Sequence, residues 1–346
     1  MLRVFPQADI VVSVLSHKMR AFNDVTRKAR ETWLGSLPGA RAHHRWFLPL
    51  EALAFNCVDT SDYDLVISSS HAFAKAIRPP KAGVHLCYCY SPPRYLWDLY
   101  GTYRDRFRGP ERWALSIGVT PLRIVDQATS RRVGQFIAIS EFVAARIERV
   151  YKRTARVVYP PVQRLANGPT SDPGLGRYLL HVGRLVPYKR IDLAIAAAER
   201  LRVKLIVAGD GPERRRLEHM AGRYTEFLGN VSDLEAAQLF DHCAGFVFCA
   251  EEDFGIAPVE ANAHGRPVIG LRRGGLLETM LDGVTATFFE EQTVEALAAA
   301  IESTLVKKWD PTLARANAAR FGVERFRDGL VEAVVGVMNK AVTRRS

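Results

Sequence analysis

The sequence predicts an α/β protein built from two doubly wound parallel-sheet domains, and three observations lead there. Short apolar runs alternate with stretches whose apolar residues recur at helical spacing, most clearly in the second half. The length, 346 residues, suits two ordinary domains, and 48% hydrophobic with 25% charged residues is globular composition. A Pro- and Gly-rich stretch containing Pro160, Pro161, Gly168, Pro169, Pro173 and Gly174 reads as a linker between the halves. The expected plan is a first domain over 1–162, a linker over 163–175, a second domain over 176–322 and a C-terminal helix over 323–346.

In chain order, Ile10–Val14, Leu65–Ile67, Val84–Tyr88 and Phe136–Ile139 read as strands of the first domain, and Phe142–Val150 as an amphipathic helix. The second domain alternates regularly. Strands are expected at Tyr178–Val182, Val203–Ala208, Thr225–Leu228, Phe246–Phe248, Pro267–Ile269 and Thr285–Phe289. Helices are expected at Ile191–Leu201, Glu213–Ala221, Asp233–Cys243, Pro258–His264 and Val294–Leu305. Val323–Ala341 is a long apolar-periodic helix with no strand after it, so it is expected to pack back toward the first domain.

Composition excludes several classes. No apolar run approaches the roughly 18 to 20 residues of a membrane-spanning helix, and Met1–Pro6 lacks the plan of a signal peptide. The expectation is a soluble, cytoplasmic chain. Five irregularly spaced cysteines read as reduced thiols; Cys87 and Cys89 share one face of a strand, and no metal site is expected. Up to Pro160 there are 24 Lys+Arg against 13 Asp+Glu, and beyond it 24 against 24, so the whole net charge of +11 lies in the first half. Such asymmetry fits an anionic substrate, an anionic membrane surface or nucleic acid, and equally a solvated basic face.

Open α/β sheets bind ligands beyond the carboxyl ends of their strands. The first such loop of the second half, Gly183-Arg184-Leu185-Val186-Pro187-Tyr188-Lys189, offers a glycine for close approach and two cations suited to a diphosphate. The second, Gly209-Asp210-Gly211-Pro212, could bring backbone near a base or ribose, or simply make a tight turn. The third carries Glu252, Asp253, Phe254, Gly255 and Ile256, then Glu260 about one turn into a helix. Amides at that helix start suit an anion, and carboxylates on either side can accept from sugar hydroxyls.

Together the G-R-L-x-x-x-K, G-D-G-P and E-D-F-G-I-x-P-x-E segments resemble retaining nucleotide-sugar glycosyltransferases of family 4, group 1, with the GT-B fold of two Rossmann-like domains facing a cleft. Leu228-Gly229-Asn230-Val231-Ser232 resembles that family's base-facing segment. Asp64–His71, Cys87–Asp98 and Val158–Val162 resemble a mannosyltransferase branch that assembles polysaccharides. The resemblance implies that Arg184 and Lys189 neutralise the donor diphosphate and that Glu252, with the amides of Phe254 and Gly255, holds the sugar. Glu260 would take the ribose and Val231 the base, with no metal and no cofactor.

In the first half, His71, Tyr90 and Arg94 are the implied substrate-side residues. Tyr90 stands where the branch often has histidine, which bears on sugar specificity. The family's first strand and Gly-rich loop would precede Met1. The expected partners are a nucleotide-sugar donor, a saccharide or polyprenyl-diphosphate-linked acceptor and an anionic membrane surface. Nucleic acid would use the basic half but leave the Glu252–Glu260 loop idle, so no nucleic acid is expected. A nicotinamide oxidoreductase lacks its G-x-G-x-x-G here. A sugar-nucleotide binder without catalysis stays open.

Overall fold

The computed structural model describes residues 1–15, 29–43, 47–105, 108–162 and 178–343; the expected linker 163–175 lies outside the described residues. The chain divides into two compact units, Met1–Val158 with Arg327–Ser346, and Tyr159–Phe326.

In the first unit the strands are β1 (Val11–Val12), β2 (Arg30–Glu31), β3 (Leu65–Ser70), β4 (Val84–Cys89), β5 (Gln135–Ala138) and β6 (Ala155–Val157). The last four form a parallel sheet in sequential order, whereas β1 pairs only with β2. The expected strand Ile10–Val14 is thus two residues long and stands outside the main sheet. Its helices are α1 (Leu48–Asn56), α2 (Tyr100–Arg104), α3 (Pro110–Ser130) and α4 (Glu141–Tyr151). The α4 start is fixed by Ser140, whose side chain accepts from the Val143 amide at 3.0 Å. Phe73, Ala76 and Leu96 are buried against Ala52 and Phe55 of α1 and Val119 of α3. Beside this core, the fully buried Lys75 ammonium pairs with Asp126, which also accepts from Trp97 Nε1 at 2.9 Å.

The second unit contains β7 (Leu179–Val182), α5 (Ile191–Leu201), β8 (Leu205–Ala208), α6 (Arg214–Met220), β9 (Thr225–Gly229), α7 (Asp233–His242) and β10 (Gly245–Phe248). It continues with α8 (Ile256–Ala263), β11 (Val268–Leu271), α9 (Leu276–Thr279), β12 (Ala286–Phe289), α10 (Val294–Val306) and α11 (Pro311–Ala319). Its six strands are parallel in the order β12-β11-β10-β7-β8-β9. Near-continuous apolar strands follow from burial on both faces: Leu179, Leu205, Val207, Val247 and Ile269 meet Ala194, Ile195 and Ala198 of α5 and Leu297 and Ile301 of α10.

A last helix, α12 (Val323–Thr343), places Arg327 onward in the first unit, where Arg156 pairs with Glu332. Among the described residues no helix is long and apolar enough to cross a membrane.

Candidate functional site

The strand order of the second unit reverses between β7 and β10, since α5 leads from β7 to β8 on one side while β10 lies on the other. Two loops that leave adjacent strands in opposite directions open a crevice at their carboxyl ends, and that is where doubly wound sheets bind ligands. Here those loops are the one after β7, with Gly183, Arg184 and Lys189, and the one after β10, with Glu252 to Gly255.

Glycines hold the β7, β8 and β9 ends together. Gly183 N–H donates to Ala208 O at 2.9 Å, Gly209 N–H to Gly229 O at 2.6 Å, and Leu185 N–H to Asp210 O at 3.0 Å. Gly209 has φ +133°, and a Cβ there would lie 2.0 Å from Gly183 O, so no side chain fits. The glycines leave a cavity of about 560 Å³ lined by Val182, Gly183, Arg184, Ala208, Gly209, Asp210, Gly211, Asn230 and Val231. Asp210 is engaged by its own turn: Oδ1 accepts from Gly211 N–H at 2.7 Å. Arg184 is exposed and has no ion pair or hydrogen bond among the described residues.

Lys189 closes a short turn, Pro187–Lys189, after which Arg190 takes a left-handed φ of +50° to start α5. The turn aims the Lys189 ammonium back over Gly183 and to within 3.2 Å of Glu252 Oε1, both side chains being largely covered. Glu252 is placed by a second glycine pair. Gly275 N–H donates to Glu252 O at 2.8 Å, and a Cβ on Gly274 or Gly275 would strike the Glu252–Phe254 backbone at 2.5 Å. Phe254 anchors the loop, 2% exposed and edge-on to Phe321.

Gly255, at φ +87°, starts α8 two residues before the sequence expectation; Pro258 falls in the first turn, where its missing N–H costs nothing. No side chain caps α8, so the Phe254, Gly255 and Ile256 amides donate to nothing among the described residues and are available to a ligand. One turn on, burial and then the nearby Asp233 charge raise the Glu260 carboxyl above its ordinary range.

Arg184, Lys189, Gly183, Gly209, Asp210, Val231, Glu252, Asp253, Phe254, Gly255, Ile256 and Glu260 therefore all lie in the second unit, on its strand-end loops or on α8. His71, Tyr90 and Arg94 lie in the first. His71 and Tyr90 follow the adjacent ends of β3 and β4, where Ser70 pairs with Cys89. Tyr90 is 40% exposed and its hydroxyl accepts from Ser69 Oγ at 3.1 Å; His71 is exposed and Arg94 half-buried. The segment between them is braced from α4, where Arg146 donates to Ser91 Oγ at 2.7 Å and pairs with Asp98. Asn230, within the segment that resembles the family's base-facing one, lines the cavity beside Val231; sequence reading gave no role to the buried His181 of β7, whose signal was a lone polar residue inside an apolar strand.

A six-stranded parallel sheet with a glycine-lined cavity, a Lys–Glu pair and an uncapped helix start at its switch point has the features of a ligand-binding doubly wound α/β unit. Residues 171–320 match the family described as Glycosyl transferases group 1, so the chain carries a domain of that family. It is 36% identical over 155 residues to the glycogen synthase of Mycobacterium tuberculosis, covering 41% of this chain and 37% of that one. It is 30% identical over 266 residues to the D-inositol 3-phosphate glycosyltransferase of Mycobacterium bovis, covering 68% and 55%. The chain spans about half the length, or less, of such curated relatives.

Among solved structures, HepE of Anabaena in complex with UDP and glucose superposes with TM-score 0.63 at 21% identity, covering 83% of this chain and 81% of that one. Sucrose-phosphate synthase of Thermosynechococcus elongatus superposes with TM-score 0.65 at 21% identity, covering 92% and 84%. These likenesses establish the GT-B class of fold.

Proposed function

We propose that the protein is a retaining glycosyltransferase of the family 4 type. It moves a hexose from a nucleotide-sugar donor to a saccharide or polyprenyl-diphosphate-linked saccharide in cell-surface polysaccharide assembly, with neither metal nor cofactor. The observation that carries this reading is the convergence of Lys189, Glu252 and the free α8 amides on one switch point beside a glycine-lined cavity.

The donor's base lies against Val231 and its ribose hydroxyls donate to Glu260. Its diphosphate meets Arg184 and Lys189, whose fixed charges stabilise the negative charge that grows on the leaving group. Glu252 and the Phe254 and Gly255 amides hold the sugar. The acceptor oxygen bonds to the anomeric carbon on the face from which the diphosphate departs, and its proton passes to a departing phosphate oxygen. Configuration is thereby retained without a protein base.

The first-half motifs favour GDP-mannose as donor, and HepE, solved with UDP-glucose, favours a UDP-hexose. On the acceptor side, Trp113, Ile117 and Ile124 share one face of α3 and are 72%, 72% and 62% exposed beside the exposed Arg112. That face supports peripheral docking on an anionic membrane.

The test is transfer from GDP-mannose and UDP-glucose to polyprenyl-diphosphate-linked saccharides in EDTA, with product configuration read by NMR. Retention in EDTA is the expected result. Inversion, or transfer only with added metal, overturns the mechanism; nucleotide-sugar binding with no transfer to any acceptor overturns the enzyme reading in favour of a binder.

A further inference from the structure

The switch point holds a histidine to which no role has been given. His181, in β7, is 2% exposed, and its Nδ1 lies 3.2 Å from the Val247 carbonyl of β10. Its ring stacks on Phe246 at 6.2 Å and 12°. A carbonyl only accepts, so the proton sits on Nδ1 and Nε2 keeps its lone pair. Burial first, then the Lys189 charge, push the imidazole down to about 4, which leaves it neutral at neutral pH.

That Nε2 is buried and lacks a hydrogen-bond partner among the described residues. An unsatisfied buried acceptor is costly enough to need an explanation. Gly183 supplies it. At the point where a side chain on Gly183 would begin, Lys189 Nζ is 2.9 Å away and His181 Nε2 3.7 Å, so an ammonium and a lone pair converge on the same bare Cα. Diphosphate oxygens are themselves acceptors and cannot satisfy Nε2, whereas the Lys189 ammonium has three protons and Glu252 draws on it from one side.

We propose that His181 is a positioning residue of the donor site. With the donor bound, its Nε2 accepts one proton of the Lys189 ammonium, keeps that ammonium from collapsing onto Glu252, and aims a remaining proton at the diphosphate. The proposal rests on the reading of Lys189 as the diphosphate's partner, and its test separates the two.

His181→Phe keeps the ring and its stacking but removes the lone pair, and His181→Gln returns an acceptor. Phe is expected to lower kcat about tenfold to a hundredfold with KM nearly unchanged, and Gln to recover most of it. In a Lys189→Ala background the Phe substitution should have no further effect. An equal loss in that background, or no recovery with Gln, reduces His181 to packing and overturns the proposal.

A second measurement needs neither turnover nor a folded His181 variant. With 15N-labelled histidine and inorganic pyrophosphate present, the Nε2 resonance of His181 should differ between the wild type and Lys189→Met. A resonance indifferent to Lys189→Met overturns the pairing whatever the protein transfers. A resonance that moves, in a wild type that binds no nucleotide sugar, upholds the pairing and overturns the donor-site reading instead.

Discussion

The two units use their positive charges differently. In the first, which carries the basic excess, several cations are tied into the construction. Lys75 is buried on Asp126, Arg146 and Arg149 share Asp98, and Arg153 donates to the carbonyls of Ser130, Arg131, Val133 and Gly134. In the second, which has a slight excess of acids, Arg184 has no acid of its own among the described residues and Lys189 faces Glu252 across the crevice. Net charge is a sum over a whole unit; a site for a diphosphate depends on where individual cations stand, as Arg184 and Lys189 do on the loop after β7. The basic excess of the first half therefore does not point to the proposed donor site.

The largest effect should come from breaking a structural cation. Lys75→Met leaves the Asp126 carboxylate buried without its partner, which should cost about 3–5 kcal/mol in denaturant unfolding. Arg184→Met should stay within about 0.5 kcal/mol of wild type while transfer falls sharply. Similar stability losses for both would erase the distinction between the units.

The glycines make the same contrast on a smaller scale. Gly209→Ala is expected to cost about 1–3 kcal/mol from backbone strain alone and to abolish nucleotide binding, because its Cβ meets Gly183 O. Gly118 of α3 has nothing within 4 Å of its would-be Cβ. Gly118→Ala should therefore raise stability by up to about 1 kcal/mol. Thermal unfolding of the two variants, with nucleotide titration of the first, decides.

Acid should weaken both units alike. Burial holds His85 of the first and His181 of the second down to about 4, so both are neutral in the folded chain. The unfolded chain takes up protons first, near the ordinary 6.5, so stability is lost as pH falls from about 6.5 toward 4. At pH 5 each histidine should account for about 2 kcal/mol, and unfolding measured at pH 7 and pH 5 shows it. An unchanged midpoint would mean that one or both imidazoles are solvated.

The smallest effect concerns Glu260. Its raised carboxyl should make donor binding fade as pH falls through a value above 4.5. Glu260→Gln should weaken binding about tenfold at pH 7 and flatten that pH dependence; a variant that keeps the wild-type profile would remove Glu260 from the ribose.

Legibility in the sequence followed the same division. In the second unit each strand run and helix period has its counterpart within a few residues, because strands buried on both faces must be apolar throughout. The three loops could be read because glycine, cation and carboxylate sit where strands end. Strand order was beyond reach, since local spacing does not say that β10 lies beside β7, and it is this adjacency that joins Lys189 to Glu252.

In the first unit α3 escaped notice: its stretch carries Pro121 and exposed apolar residues, so the helical period does not report a buried face. β6 was missed because three residues of mixed burial leave no run to see. His181 was hidden for the opposite reason, being one polar residue inside a run that was otherwise easy to assign.

The measurement closest to the central claim is calorimetric titration of the chain with GDP-mannose, UDP-glucose and NAD in EDTA, for wild type, Glu260→Gln and Lys189→Ala. The account predicts saturable, metal-independent binding of a nucleotide sugar, weakened by either substitution, and no binding of NAD. Binding of NAD, or nucleotide-sugar binding indifferent to both substitutions, would contradict the placement of the donor at the β7–β10 switch point.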